Sequence, residues 1–126
     1  MRFLSIYHAA ETGTPPTGEE MAAMQALIEE MTSAGTLIAT EGCLPSALGA
    51  RVRRSGDELS VTDGPFTESK ELVAGFALLE AESKEHAIEL TRRFLQVAGD
   101  GECEIRALFQ GDGCVPETAL AEAAAA

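Results

Sequence analysis

The sequence predicts an α+β domain of two layers, with helices packed over one face of a β-sheet. Segments rich in strand-forming residues enclose two amphipathic segments of helical periodicity, in the order strand, helix, strand, hairpin, strand, helix, strand. A length of 126 residues favours one domain, and a hydrophobic content of 45% is enough for a packed core. We predict that residues 1–110 form this domain and that residues 111–126 form a C-terminal tail.

The first half of the chain predicts a central strand followed by a helix. Arg2–His8 carries apolar residues on both faces, which favours a strand covered on both sides. Thr17 and Glu20 match a Thr-x-x-Glu capping box at the start of helix 1, and Gly35 is a natural end. Three methionines recur along this helix, and core packing is their commoner role, with a soft ligand-binding stripe as the alternative. They are Met21, Met24 and Met31.

The second half supplies the remaining strands and the second helix. The predicted strands are Thr36–Cys43, Ala50–Arg54, Glu58–Thr62, Val73–Ala81 and Glu102–Phe109. The two strands that flank Ser55-Gly56-Asp57 form a hairpin. Helix 2 begins at Ser83, a good N-cap. Because two helices cover only one face of a sheet, we predict a ferredoxin-like two-layer sandwich with an extra β-hairpin.

The uncovered face of this sheet predicts self-association. Apolar side chains on that face need a cover, and a second subunit is the simplest one, so we expect a symmetric homodimer joined through the sheets. The formal net charge is −12, from nine Lys plus Arg against 21 Asp plus Glu. Such a surface repels phosphate backbones, which argues against direct nucleic-acid binding.

Cysteine usage and hydropathy indicate the class of protein. Cys43, Cys103 and Cys114 are widely spaced and form no CxxC motif, so neither a zinc site nor a cofactor is expected. The first residues lack the long apolar core of a signal peptide, and no apolar run approaches the roughly 20 residues that span a bilayer. We therefore expect a cytoplasmic protein with no membrane partner.

The segment Val61–Glu71 is the most informative of the chain. Strand-forming residues run into Asp63-Gly64-Pro65-Phe66, and Glu68 and Lys70-Glu71 continue the block. With the turn Glu41–Pro45, the pair Gly75-Phe76 and Glu104-Ile105-Arg106, this block resembles the DGPF group of the YCII-related family. The resemblance implies a dimeric α+β barrel with a cleft near the Asp of the signature.

The resemblance also implies two alternative functions. Related YCII proteins are suspected enzymes built around a His on helix 1 and an Asp, and this chain has Met24 at or near the position of that His. DGPF proteins are also often associated with extracytoplasmic-function sigma factors. The first hypothesis is therefore a small-molecule binder or enzyme, and the second is an accessory or regulatory protein that acts by protein–protein contact.

Asp63 and His8 are the candidate catalytic residues. Asp63 ends a strand beside the predicted cleft, where a carboxylate can act as a general base or anchor a ligand; its alternative role is to accept N–H bonds within the turn. His8 ends the first strand, and histidine is the usual residue for proton transfer at physiological pH, so it can replace the missing helix-1 His; the alternative is a partly exposed strand-end residue.

Four further side chains are candidate ligand-binding residues. Tyr7 has an apolar ring and one hydroxyl, which fits either a binding site or a buried packing position with one hydrogen bond. Arg53 can bind an anionic ligand, although pairing with Asp or Glu is the commoner role in an acidic protein, and Arg106 can form such a network with Glu104. Lys70 either lines the cleft with Asp63 or is an ordinary surface charge.

Overall fold

The computed structural model describes residues 1–109 as two helices and six strands. The predicted tail at 111–126 lies outside the described residues. The strands are β1 (Arg2–Ala9), β2 (Leu37–Gly42), β3 (Ala50–Ser55), β4 (Glu58–Asp63), β5 (Leu72–Glu80) and β6 (Glu102–Ala107). The helices are α1 (Gly18–Ser33) and α2 (Lys84–Ala98), and a single 3-10 turn lies at Ser46–Leu48.

Both helices begin at the predicted caps. Thr17 Oγ1 accepts a hydrogen bond from the Glu20 N–H at 3.1 Å, although the return bond of a capping box is absent from the described residues. Ser83 Oγ accepts from the His86 N–H at 3.1 Å, and His86 Nδ1 accepts from the Glu82 N–H at 3.0 Å. The bonds to Thr17 and Ser83 satisfy amide groups that the first turn of a helix leaves free, and the bond to His86 satisfies the amide just before the N-cap of α2.

Four strands form one antiparallel sheet in the order β2-β5-β1-β6. This is the ferredoxin-like order, with the first and fifth strands in the centre, and it confirms the predicted α+β fold. The hairpin β3–β4 forms a separate two-stranded sheet. The predicted strand limits differ from the observed ones by one or two residues, as is usual for element ends.

Both helices pack on the same face of the four-stranded sheet, where the core lies. The side chains of Phe3, Leu37 and Leu79 come from three adjacent strands and are buried beneath the helices. The helices contribute the remaining large side chains of the core, which are Leu27, Met31 and Leu90. We call the opposite face of the sheet the outer face.

The outer face carries partly exposed apolar side chains along its two central strands. Since successive side chains of a strand alternate, the buried positions Phe3 and Leu79 place Leu4, Ile6, Phe76 and Leu78 on the outer face. Phe76 remains 39% exposed.

Candidate functional site

A cavity of about 500 Å³ lies between the two helices and the sheet. Met21, Met24 and Ile28 of α1 form one wall, and Phe94 and Val97 of α2 form another. We call it the helix–sheet cavity. Its size and its mainly apolar lining are those of a small-molecule site.

Small side chains on the sheet create this space. Gly42 and Gly75 pair across β2 and β5, so no side chain rises from the floor at that position. One step along the sheet, Thr40, Ala77 and Ser5 lie side by side on three adjacent strands. The next row holds the larger side chains of Leu37, Leu79 and Phe3, which belong to the hydrophobic core and fill the space between the sheet and the helices.

Tyr7 lies on the floor of the cavity and is held from two sides. Its hydroxyl donates a hydrogen bond of 2.7 Å to the carbonyl of Asp100. Its ring meets the Phe94 ring edge to face, with centroids 5.2 Å apart. Gly101 makes this position available, because a Cβ there would lie 2.4 Å from Tyr7 Cε1.

The thiol of Cys103 is the neighbour of Tyr7 across β1 and β6. Burial raises the pKa of the Cys103 thiol above its ordinary value of 9.0, and an interaction with the Ser5 hydroxyl offsets part of that rise. Burial also raises the pKa of Tyr7, and the negative charges of Cys103, Asp100 and Glu71 add to the effect. Both groups are therefore protonated and uncharged at neutral pH.

A second, smaller cleft of about 300 Å³ lies against the Asp-Gly-Pro-Phe turn. His8, Arg51, Phe66 and Glu71 line it. The guanidinium of Arg51 stacks 3.8 Å from the centre of the Phe66 ring and pairs with Glu68. A hydrogen bond with the backbone of Glu68 itself, followed by the bond from Arg51, lowers the pKa of the Glu68 carboxyl.

Backbone contacts fix the Asp-Gly-Pro-Phe turn to the 3-10 turn. The N–H of Gly64 donates to Gly49 O at 2.9 Å, and the N–H of Phe66 donates to Ser46 Oγ at 3.2 Å. Glu11 accepts hydrogen bonds from both the amide and the hydroxyl of Ser46, at 2.6 and 2.9 Å. The signature block therefore has a clear local structural role.

The two predicted catalytic residues, His8 and Asp63, lie in different surroundings from each other and from Tyr7. Tyr7 and His8 are consecutive in β1, so their side chains leave opposite faces of the sheet; Tyr7 lines the helix–sheet cavity and His8 lines the smaller cleft. Asp63 is exposed at the end of β4 and is not among the described residues that line either space. The catalytic roles of Asp63 and His8 stay predictions.

The three candidate cations lie outside both spaces as well. Arg53 and Lys70 are exposed, and neither forms an ion pair within residues 1–109. Arg106 is also exposed and donates to the Glu104 carboxylate at 3.3 Å. Of the six site residues predicted from the sequence, Tyr7 is the one in the larger cavity.

Sequence reasoning overlooked most of the helix–sheet cavity. Ser5, Cys103 and Phe94 line it and were not site candidates. Met21, Met24 and Met31 also line it, and a ligand-binding stripe was the alternative to core packing for these methionines. The available signal was the pair Gly42 and Gly75 within otherwise apolar strands, since a glycine inside a strand often marks a close approach or a space.

Three further features concern the part of the chain that the structure describes. In residues 1–109, no cluster of three His, Cys, Asp or Glu side chains has the spacing to hold a metal ion. Cys43 and Cys103 are free thiols. Neither described helix has the length and continuous apolar character that a membrane crossing requires.

A match to a protein-family model shows the family to which the chain belongs. The model of the YCII-related domain matches residues 1–110. The chain belongs to the YCII-related family. The match covers every strand and helix described above, so the helix–sheet cavity and the smaller cleft both lie within the YCII-related domain.

Two individual proteins are similar to this YCII-related chain. An uncharacterized protein of Rhizobium meliloti (strain 1021) is 33% identical over 69 residues, which are 55% of this chain and 56% of the relative. The chain thus aligns with little more than half the length of that relative.

The second similarity is structural. The chain resembles 5-chloro-2-hydroxyhydroquinone dehydrochlorinase from Burkholderia phenoliruptrix AC1100, solved in complex with 2,5-dihydroxybenzoquinone, with a TM-score of 0.54. The match covers 89% of this chain and 97% of that one at 17% sequence identity. At that identity the likeness supports the fold of the YCII-related domain.

Proposed function

We propose that this YCII-related protein binds a small, mainly apolar molecule in the helix–sheet cavity. The observation that carries the proposal is an open space of about 500 Å³ above a floor of small residues, with the polar groups of Tyr7 and Cys103 at its base. The apolar side chains that line this open space are in contact with water, and burying apolar surface is favourable. A bound ligand would bury this surface.

The site proposed here differs from the cleft beside Asp63 that the sequence suggests. The larger cavity has more room and a more continuous apolar lining than the cleft at the Asp-Gly-Pro-Phe turn. The structural neighbour, a dehydrochlorinase solved with a small cyclic molecule, supports small-molecule binding within this fold. For an enzymatic role, Tyr7 and Cys103 at the base of this cavity and the Glu20 carboxylate at its rim are the described groups available for proton transfer.

The test measures binding of the neutral dye N-phenyl-1-naphthylamine from the change in the fluorescence of the dye. We expect saturable binding to the wild type and a loss of about tenfold or more in Met24→Trp, because an indole on α1 fills the cavity. Met21→Trp, at a more exposed position of the same wall, is a second blocking variant. Gln96→Trp, exposed on α2 outside the cavity, is the matched control. Equal binding by all four proteins would refute the site.

We further propose that the protein is a cytoplasmic homodimer of the DGPF group. The partly exposed apolar side chains of the outer face support sheet-to-sheet association. The block Asp63–Phe66 with Lys70-Glu71 supports the subgroup, and the free thiols of Cys43 and Cys103 suit a reducing compartment.

Protein–protein contact is a second candidate function, and the hairpin β3–β4 favours it. Val52 and Val61 face each other across the strands and share a face with Leu59, and each is at least 65% exposed. Association with a sigma factor rests on the family resemblance. Co-purification of a sigma factor with the wild type, and its loss in the double variant Leu59→Asp, Val61→Asp, would support this candidate; no co-purification from cells that express both proteins would contradict it.

A further inference from the structure

The hydrogen bonds already made by the cavity hydroxyls determine what they can offer a ligand. Tyr7 donates its proton to Asp100 O, Thr40 donates to Phe76 O at 2.8 Å, and Thr91 donates to Ala87 O at 2.8 Å. A hydroxyl has one proton and two lone pairs, so each of these groups is left as a hydrogen-bond acceptor.

The charges around the cavity also favour a ligand that donates hydrogen bonds and carries no negative charge. Among residues 1–109, no Lys, Arg or His side chain lines the space, and the carboxylate of Glu20 lies at its rim. Glu41 also borders the cavity, but its pairing with Phe76 turns its side chain to the outer face. An ionised carboxylate accepts hydrogen bonds and repels anions.

Free donors in the cavity are few and weak. The thiol of Cys103 is a poor donor and interacts with Ser5. The amide of Gln25 lies on the exposed side of α1 and donates to Glu29 at 3.3 Å. The Ser5 hydroxyl also lines the space, but its hydrogen bond with Cys103 directs its proton to that sulfur. A ligand carbonyl or anion buried here would therefore lose most of its bonds to water without replacement, which is costly.

We propose that the helix–sheet cavity selects an uncharged aromatic hydrogen-bond donor, such as a phenol or an arylamine, and excludes anions. Apolar contacts with Met24, Phe94 and the other wall residues hold the ring, and Tyr7 Oη accepts a hydrogen bond from the O–H or N–H group of the ligand. The proposal names the ligand class for the site put forward above and rests on that site.

Three probes with one ring system test the selection by competing with N-phenyl-1-naphthylamine. They are 2-naphthol, which donates a hydrogen bond, 2-methoxynaphthalene, which lacks the donor, and naphthalene-2-sulfonate, which is an anion. We expect 2-naphthol to compete about fivefold better than 2-methoxynaphthalene, and the sulfonate to compete at least about tenfold less well than 2-naphthol. Equal or better competition by the ether or the sulfonate would overturn the proposal.

Two variants separate this proposal from the existence of the site. In Tyr7→Phe the preference of 2-naphthol over its methyl ether is expected to fall towards one. The dye, which is itself an arylamine, is expected to bind this variant more weakly but still saturably, and the ratio of the two competitors does not depend on its affinity. In Met24→Trp all binding is expected to weaken. If Met24→Trp binds the dye like the wild type, the helix–sheet cavity is not the dye site. If Met24→Trp loses the dye and the three probes displace the dye from the wild-type protein equally well, the cavity is the binding site but it does not select hydrogen-bond donors.

Discussion

Tyr7 and Cys103 give the floor of the cavity its chemistry, and their titration links that floor to stability. Because burial raises the pKa of the Cys103 thiol in the folded chain, the unfolded chain ionises first as the pH rises. The corresponding stability is complete below the ordinary thiol value of 9.0 and is lost as the pH passes through the folded-state pKa. Tyr7 acts in the same direction above its ordinary value of 10.0.

We therefore expect the thermal midpoint of the wild type to fall between about pH 8 and pH 10, and that of Cys103→Ser to fall less. The measurement is a thermal unfolding series across this range. Cys43→Ser, which removes an exposed thiol, is the control and should follow the wild type. Parallel curves for Cys103→Ser and the wild type would show that the thiol is not perturbed by burial.

Asp63 is a residue for which sequence and structure predict different outcomes. A catalytic or anchoring carboxylate predicts that Asp63→Asn folds and loses ligand binding. Its exposed position outside both lined spaces predicts instead that Asp63→Asn keeps dye binding and changes the free energy of unfolding by no more than about 0.5 kcal/mol. Loss of dye binding in a folded variant would restore Asp63 to the site.

Among the secondary-structure elements, the Asp-Gly-Pro-Phe turn connects β4 of the hairpin to β5 of the sheet and packs against the 3-10 turn. A Cβ at Gly64 would lie 1.7 Å from Ser46 O and 2.6 Å from Ser46 C, both backbone atoms that cannot easily move. We expect Gly64→Ala to lower the free energy of unfolding by at least about 2 kcal/mol, measured by urea denaturation. The glycine is thus needed where two turns meet.

Gly18→Ala is the matched control for this prediction. A Cβ at Gly18 meets no atom within 4 Å, and alanine favours a helix, so stability should be unchanged or raised by up to about 1 kcal/mol. Similar effects of the two substitutions would contradict the tight contact at Gly64.

The order of elements was predictable because each depends on local periodicity and on local signals such as Thr17, Ser83 and Gly35. The cavity was not. Its floor joins Ser5, Thr40 and Ala77, which come from three strands and meet only when the strand register is known. Strand alternation alone places the side chains of Tyr7 and His8 on opposite faces of the sheet, and this separation could be read from the sequence.

At the scale of the whole molecule, the outer face predicts a dimer. Sedimentation at micromolar concentration should give the mass of two chains. Phe76→Glu places a charge on that face, whose centre is apolar, and should weaken the dimer by about 100-fold or more. Ala26→Glu adds the same charge to an exposed position of α1 and should remain dimeric. A monomeric wild type would contradict the sheet-to-sheet arrangement.

Binding of a small molecule between the helices and the sheet should change the surroundings of the methionine methyl groups in the cavity. The chain has four methionines; Met21, Met24 and Met31 line the cavity, and Met1 does not. In a ¹³C-methyl methionine NMR spectrum titrated with 2-naphthol, we expect saturable shifts of those three signals while the Met1 signal stays in place. Saturation that leaves the three cavity signals unmoved would contradict binding in this cavity.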